Sequence, residues 1–128
     1  MREPPDLDKG FAAIKQFRAG ALIVHSDPVL GSQRPKIVAF ANGARLPAMY
    51  GFAQWPRAGG LMSYGPSLSD MYRRAAGHID KILRGAKPGE LPVERPVRFD
   101  LVINMKTAKA LGLAIPPSIL LRANQVIE

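Results

Sequence analysis

A chain of 128 residues is long enough for one modest domain, and its 47% content of apolar residues supplies material for a core. No apolar run approaches the roughly 20 residues that a membrane-spanning helix needs. The absence of cysteine excludes disulfides and thiolate chemistry. The net charge of +8 raises nucleic acid or an anionic membrane as a partner. The Lys and Arg residues are scattered among Asp and Glu, however, so we interpret the charge as a solvated basic surface and predict no nucleic-acid partner.

The first half of the chain alternates helical and extended patterns. A surface helix closed by Gly20 is predicted over residues 7–18, and the apolar run 21–24 is typical of a buried parallel strand. The next predicted elements are a helix over 32–43, a strand over 47–50 and a single helical turn within 52–58. This alternation predicts an α/β layer with parallel strand pairing.

The second half begins with a glycine-rich bend, residues 59–65, and continues into an amphipathic helix. Apolar residues recur there at spacings of three and four, which places them on one helix face. They are Leu68, Met71, Tyr72, Ala75, Ile79, Ile82 and Leu83. Ser67 and Asp70 have the spacing of a reciprocal cap at the helix start, and Gly85 is suited to the left-handed turn that ends a helix.

An extended connector and a strand follow this helix. Three prolines within residues 87–96 remove backbone donors and favour an irregular, extended path. Residues 99–104 alternate in a pattern that predicts a strand with one well-buried face. A short helix is expected over 105–111, ending at Gly112.

Several segments of this chain, taken together, resemble one family. The segments are 21–28, 46–50, 59–65, 80–88, 91–94, 99–113 and 115–118. In order and spacing they are similar to the C-terminal portion of the ABC-transporter substrate-binding proteins that include the tryptophan and tyrosine uptake proteins. The resemblance covers essentially the whole chain.

The resemblance implies an α/β fold: an incomplete, three-layer parallel-sheet lobe of the type I periplasmic-binding-protein-like kind. Family members are usually more than twice as long, so the chain is expected to be partial. Residues 1–58 are assigned to second-lobe strands and helices, 59–96 to inter-lobe crossings and a helix, and 97–128 to a returning strand and C-terminal helices. The N-terminal residues have no apolar signal region, although the family is normally exported, so a periplasmic or extracytoplasmic location is expected from the resemblance alone.

Ser26, Asp27 and Pro28 are the first candidate ligand-binding residues. They follow the predicted strand 21–24, and ligands of open α/β sheets bind beyond the carboxyl ends of strands. Asp27 is suited to pair with the ammonium group of an amino acid and Ser26 to hydrogen-bond a carboxylate. The alternative is that Asp27 caps the next helix or forms an Asx turn before Pro28.

Three aromatic residues complete the candidate site. Tyr50 and Phe52 follow the second strand and are suited to form a ring wall, with ordinary core packing as the alternative. Tyr64 either lines the cleft or packs the hinge. Trp55 is interpreted as a packing residue, with stacking on a ligand as the alternative.

No catalytic or cofactor site emerges from the sequence. His25 and His78 have no carboxylate or cysteine at ligand spacing, so no metal is predicted. No serine lies in a nucleophile-elbow context, and the glycines do not form a phosphate-binding motif. We therefore predict neither an enzyme nor a cofactor.

The function that the resemblance implies is solute binding for an ABC importer. A small amino-acid-like ligand would lie between two lobes, and the closed form would be presented to a membrane permease. The alternative is a truncated remnant or protein-interaction module that keeps the fold without binding a small molecule. With the other lobe absent, the apolar face of helix 68–83 is expected either to self-associate or to rearrange onto the sheet.

Overall fold

The chain forms a five-stranded sheet flanked by helices, in a computed structural model that describes residues 6–128. The strands are β1 (Leu22–Val24), β2 (Ala48–Tyr50), β3 (Met62–Pro66), β4 (Phe99–Asn104) and β5 (Gln125–Ile127). The helices are α1 (Leu7–Gln16), α2 (Pro28–Ser32), α3 (Arg34–Gly43), α4 (Gln54–Arg57), α5 (Leu68–Leu83), α6 (Met105–Ala110) and α7 (Pro117–Leu120), with a 3-10 turn at Pro88–Glu90. The prediction made for the N-terminal signal region concerns residues 1–6, of which 1–5 lie outside the described residues.

The strands lie side by side in the order β1-β2-β3-β4-β5. The pairs β1–β2, β2–β3 and β4–β5 are parallel, and β3–β4 is antiparallel. This mostly parallel sheet confirms the predicted α/β class. Because β1, β2 and β3 run in one direction, their carboxyl ends share one edge of the sheet, which we call the carboxyl edge. Gly65 near the end of β3 pairs with Asp100 near the start of β4, so β4 begins at the same edge.

Three elements were missing from the sequence prediction. The bend expected at 59–65 contains the central strand β3, although its Gly65 and Pro66 disfavour strands in general. The C-terminal region expected to be helical ends in β5, which at three residues is too short to show a strand period. The turn expected at Ser26–Pro28 starts the separate helix α2, where a proline occupies the first turn.

Helix α5 has the predicted bounds, but its N-terminus is not capped as predicted. Ser67 makes no side-chain cap, and its backbone N–H donates to the Arg98 carbonyl at 3.0 Å. Asp70 therefore finds no free N–H at Ser67, and its carboxylate instead accepts from Arg74 Nε at 3.1 Å. The predicted C-terminal signal is confirmed, since Gly85 has a φ of +103°.

Burial of two strands differs from the predictions. Strand β1 was expected to be buried, yet Ile23 is 71% exposed because β1 lies at the edge of the sheet. Strand β4 was expected to bury one face, whereas Val102, Ile103 and Asn104 are all buried, so both faces are covered at its carboxyl end. The neighbouring helix α6 ends near the predicted Gly112, which has a φ of +72°.

The main core lies between α3 and the first two strands. Its buried members are Val24, Ile37, Val38, Ala41, Ala48, Tyr50 and Trp55. Polar bonds tie this core to β4 and α6: Asn104 Nδ2 donates to the Pro56 carbonyl at 2.9 Å, and Thr107 Oγ1 donates to the Gly59 carbonyl at 2.9 Å. One of these bonds is buried and the other partly buried, and together they fix β4 and α6 to the segment that leads from α4 into β3.

Two glycines allow the chain segments at the carboxyl edge to approach closely. A Cβ at Gly51 would collide with the Ser26 hydroxyl, and a Cβ at Gly65 would collide with the Gly51 carbonyl oxygen. The first obstacle is a side chain that can rotate, but the second is backbone. Any side chain at Gly65 would therefore push β3 away from the segment that follows β2.

We expect Gly65→Ala to lower the free energy of unfolding by about 1–3 kcal/mol, the cost typical of an overpacked site. Gly77→Ala is the matched control, because a Cβ at Gly77 in α5 meets nothing within 4 Å and alanine favours helix. Urea unfolding followed by Trp55 fluorescence measures both. Equal stability of Gly65→Ala and the wild type would contradict the close approach of these segments.

Candidate functional site

A hollow of about 420 Å³ lies at the carboxyl edge of the sheet. It is lined by residues from the segments that follow β1, β2 and β3, namely Ser26, Asp27, Pro28, Gly31, Arg34, Phe52, Gln54, Trp55 and Leu68. Its size is within the range of small-molecule sites. Four of the six residues predicted for the site lie together here: Ser26, Asp27, Pro28 and Phe52.

Asp27 has a structural task at the rim of the hollow. Its Oδ1 accepts hydrogen bonds from the backbone N–H groups of Val29 at 2.8 Å and Leu30 at 3.1 Å, which makes it the N-cap of α2. This is the capping alternative that the sequence offered. The residue lines the hollow as well, so its part in ligand binding stays a prediction.

Tyr50 does not line the hollow. It is 1% exposed, and its ring stacks on that of Trp55 with centroids 4.6 Å apart and planes 12° apart. Its hydroxyl is buried without a hydrogen-bond partner among the described residues, and burial raises the pKa of Tyr50 to about 12. The core-packing alternative therefore describes Tyr50.

Tyr64 also lies outside the hollow. Its side chain is 56% exposed on β3 and stacks on Phe99 of β4, with ring centroids 5.7 Å apart. Whether this pair faces a cleft or a hinge in a longer protein stays a prediction.

Arg34 and Gln54 were missed by the sequence analysis, and Trp55 was given mainly a packing role. Trp55 does pack, at 3% exposure, but it also lines the hollow. The Arg34 guanidinium carbon lies 5.6 Å from the Trp55 ring centroid, in a cation–π arrangement. Arg34 was missed because the predicted helix began at residue 32, whereas it is the first residue of α3. The proline at residue 35 was the signal that a helix starts at Arg34.

A smaller polar hollow of about 110 Å³ adjoins the first and shares Gln54 and Leu68 with it. Ser67, Ser69 and Asp100 line this second hollow. Asp100 Oδ1 is buried without a hydrogen bond and lies 3.4 Å from Arg98 Nε. The carboxyl edge thus has a part with aromatic walls beside a polar part.

Residues 6–128 were searched for metal-binding groups and for membrane-spanning helices. No group of three or more His, Cys, Asp or Glu side chains in this range is placed to hold a metal ion. His78 Nε2 lies 3.7 Å from Glu94 Oε1, away from the hollow. No helix in the same range has the length and apolar character to cross a membrane.

Comparison with known proteins places the chain in a family. It belongs to the ABC transporter substrate binding protein family, which matches residues 6–127. The predicted resemblance is confirmed. This family is a class of binding proteins and not a class of enzymes. Among curated proteins, none matches the chain.

Solved structures of similar fold cover nearly all of the chain. One is a conserved domain protein from Vibrio cholerae O1 biovar El Tor, with 27% identity and a TM-score of 0.86 over 94% of this chain and 40% of that one. A second is an ABC domain in complex with L-Trp from Streptococcus pneumoniae, with 29% identity and a TM-score of 0.84 over 96% and 42%.

A third structure supports the fold alone. It is the ligand-free, open form of a substrate binding protein with adhesive properties from Clostridium difficile, with 20% identity and a TM-score of 0.66 over 99% and 42%. The chain therefore spans about two fifths of the length of these neighbours. The periplasmic-binding-protein-like fold and its partial extent agree with the prediction.

The buried Tyr50 hydroxyl gives a test at high pH. The pKa of Tyr50 is about 12 in the folded protein against 10 unfolded, so the unfolded state loses the proton first as pH rises. Stability from this group is complete below pH 10 and falls by about 2–3 kcal/mol between pH 10 and 12. Tyr50→Phe should remove that part of the fall, measured by urea unfolding at both pH values. Identical pH dependence in the two proteins would contradict the burial of this hydroxyl.

Proposed function

We propose that the chain is part of the solute-binding component of an ABC importer and that the hollow at the carboxyl edge holds a small amino-acid-like ligand. The observation that carries this proposal is the convergence of three loops from parallel strands on one hollow with both polar and aromatic walls. Open α/β sheets bind ligands at this place. Membership of the substrate binding family supports the same conclusion.

The walls of the hollow favour an amino acid. Asp27 offers a carboxylate for an ammonium group, and Ser26 offers a hydroxyl beside it. Phe52 and Trp55 offer ring surfaces for an apolar or aromatic side chain. The bound L-Trp of the pneumococcal neighbour is a ligand of this kind.

The rest of the proposal concerns parts of a longer protein. Because the chain spans about two fifths of its neighbours, we expect a second lobe to complete the cleft. Segments 59–65 and 87–96 are then the inter-lobe crossings, with Tyr64 at the cleft or hinge. The protein acts outside the cytoplasm, and a membrane permease receives the closed form. A site enclosed on one side only should bind with millimolar affinity at best.

A thermal melt with a panel of amino acids tests the binding proposal. At a ligand concentration about ten times the dissociation constant, an aromatic or branched amino acid should raise the melting temperature by about 3–5 °C. Phe52→Ala should remove most of that rise, because it deletes a wall of the hollow. Phe17→Ala is the control, since Phe17 is 83% exposed and lies outside the hollow.

Two outcomes would count against this function. A cooperative melt that no amino acid moves would favour the alternative, a remnant or interaction module without a small-molecule ligand. A rise of equal size in wild type and Phe52→Ala would place the ligand elsewhere on the molecule.

A specific observation favours an interaction surface in addition to ligand binding. Helix α5 buries no residue, and its stripe of Tyr72, Ile79 and Leu83 is 74%, 57% and 81% exposed. The alternative that this helix packs onto the sheet does not describe the structure, because the helix buries no residue. Its Arg74 pairs instead with Glu94 of the connector at 2.7 Å. We propose that this exposed apolar face mediates self-association of the chain.

Sedimentation velocity over a range of concentrations tests self-association. The wild type should form dimers or larger species, and Ile79→Glu should shift the population to monomer because it places a charge in the apolar stripe. Leu121→Glu is the control, since Leu121 is 88% exposed and follows α7, outside α5. A wild-type monomer at all concentrations, with the helical signal intact, would refute the proposal.

A further inference from the structure

Arg34 packs against an aromatic ring, whereas several other arginines of this chain form ion pairs. Arg74 pairs with Glu94 at 2.7 Å, Arg84 with Asp80 at 3.0 Å, and Arg98 with Asp100 at 3.4 Å. Within residues 6–128, Arg34 forms no ion pair, and its Nε is buried without a hydrogen-bond partner. The side chain nevertheless has a fixed place, against the Trp55 ring on the wall of the hollow.

The surroundings of Arg34 are unfavourable for a cation without a partner. It is the first residue of the ten-residue helix α3, whose first turn contains no acidic residue. The start of a helix carries partial positive charge, so a guanidinium there is repelled and an anion is attracted. A buried donor without an acceptor is costly as well. An anion in the hollow, which Arg34 lines, would offset the charge of the guanidinium.

We propose that Arg34 binds the carboxylate of the ligand. This rests on the proposed function and narrows the ligand to a carboxylate-bearing molecule with an aromatic or apolar body. The planar guanidinium can donate two parallel hydrogen bonds to a carboxylate, and stacking on Trp55 limits its rotation. Asp27 lines the same hollow, so a zwitterion would find groups of both signs there. Ser26, assigned to the carboxylate from sequence, then has a secondary part.

The test compares L-tryptophan with L-tryptophanamide, which keeps the indole and the ammonium group but lacks the carboxylate. NMR titration of the wild type should give an affinity for L-tryptophan at least tenfold above that for the amide. Arg34→Gln should weaken L-tryptophan binding by about 10–100-fold, the loss typical of a hydrogen-bonded charged pair. Its affinity for the amide should stay within about twofold of the wild type.

Two further variants separate the shape of the Arg34 guanidinium from its charge and from the net charge of the protein. Arg34→Lys retains the charge but not the fork, and should bind L-tryptophan more weakly than the wild type and more tightly than Arg34→Gln. Arg45→Gln is the control, because Arg45 lines a different hollow together with Asn104 at the carboxyl end of β4. If Arg34→Gln does not fold, the wild-type preference for the amino acid over the amide and the Arg34→Lys affinity decide the question.

The failures of the two proposals are distinguishable. Wild type that binds neither probe overturns the proposed function and this inference together. Wild type that binds both probes equally, or an Arg34→Gln variant that loses both to the same extent, overturns the role of Arg34 alone. A loss in Arg45→Gln equal to that in Arg34→Gln also overturns it, because the effect would then come from general charge.

Discussion

The packing of Gly51 between Ser26 and Gly65 is the constraint on which the carboxyl edge depends. The Gly51 carbonyl occupies the space that a Cβ at Gly65 would need, and the Ser26 hydroxyl occupies the space that a Cβ at Gly51 would need. Three chain segments are thereby brought together where their strands end. The loops that continue from them, toward α2, α4 and α5, converge on one hollow because their starting points are so close. A side chain at Gly65 would separate the walls of the site, because the obstacle there is backbone.

Trp55 links this edge to the core. Its ring stacks on the buried Tyr50 and also contacts the Arg34 guanidinium, so one residue is both a packing element and part of the site wall. Rigid support of this kind matters because a binding group held in place loses little conformational entropy when the ligand arrives. The sequence offered packing and ligand contact as alternatives for the aromatic residues. Trp55 packs in the core and also lines the hollow, so the two roles are compatible in this residue.

Elements with a long or regular residue pattern could be predicted from the sequence. Elements that depend on contacts with residues distant in sequence were missed. The sixteen residues of α5 and the alternation of β4 gave correct bounds. Strand β3 was missed because glycine within a segment is evidence against a strand. The reason for glycine at position 65 is the close approach of the Gly51 backbone, which is distant in sequence and cannot be read from the local pattern. Of the residues that line the hollow, Ser26, Asp27, Pro28 and Phe52 were named from their positions after strands. Arg34 was missed because the short separate helix α2 has no pattern of its own. The choice between ligand contact and core packing for Tyr50 stayed open, because alternation alone does not tell which face of a short strand a helix covers.

A ligand at the carboxyl edge is the central claim, and amide chemical shifts report most directly where a ligand lies. Titration of ¹⁵N-labelled protein with L-tryptophan should shift the signals of residues 26–34 and 52–55, together with the Trp55 indole N–H. The signals around Arg45 and Lys106, which line the hollow at the carboxyl end of β4, should stay unchanged. Shifts confined to that other hollow, or no shifts at saturating ligand, would contradict the account.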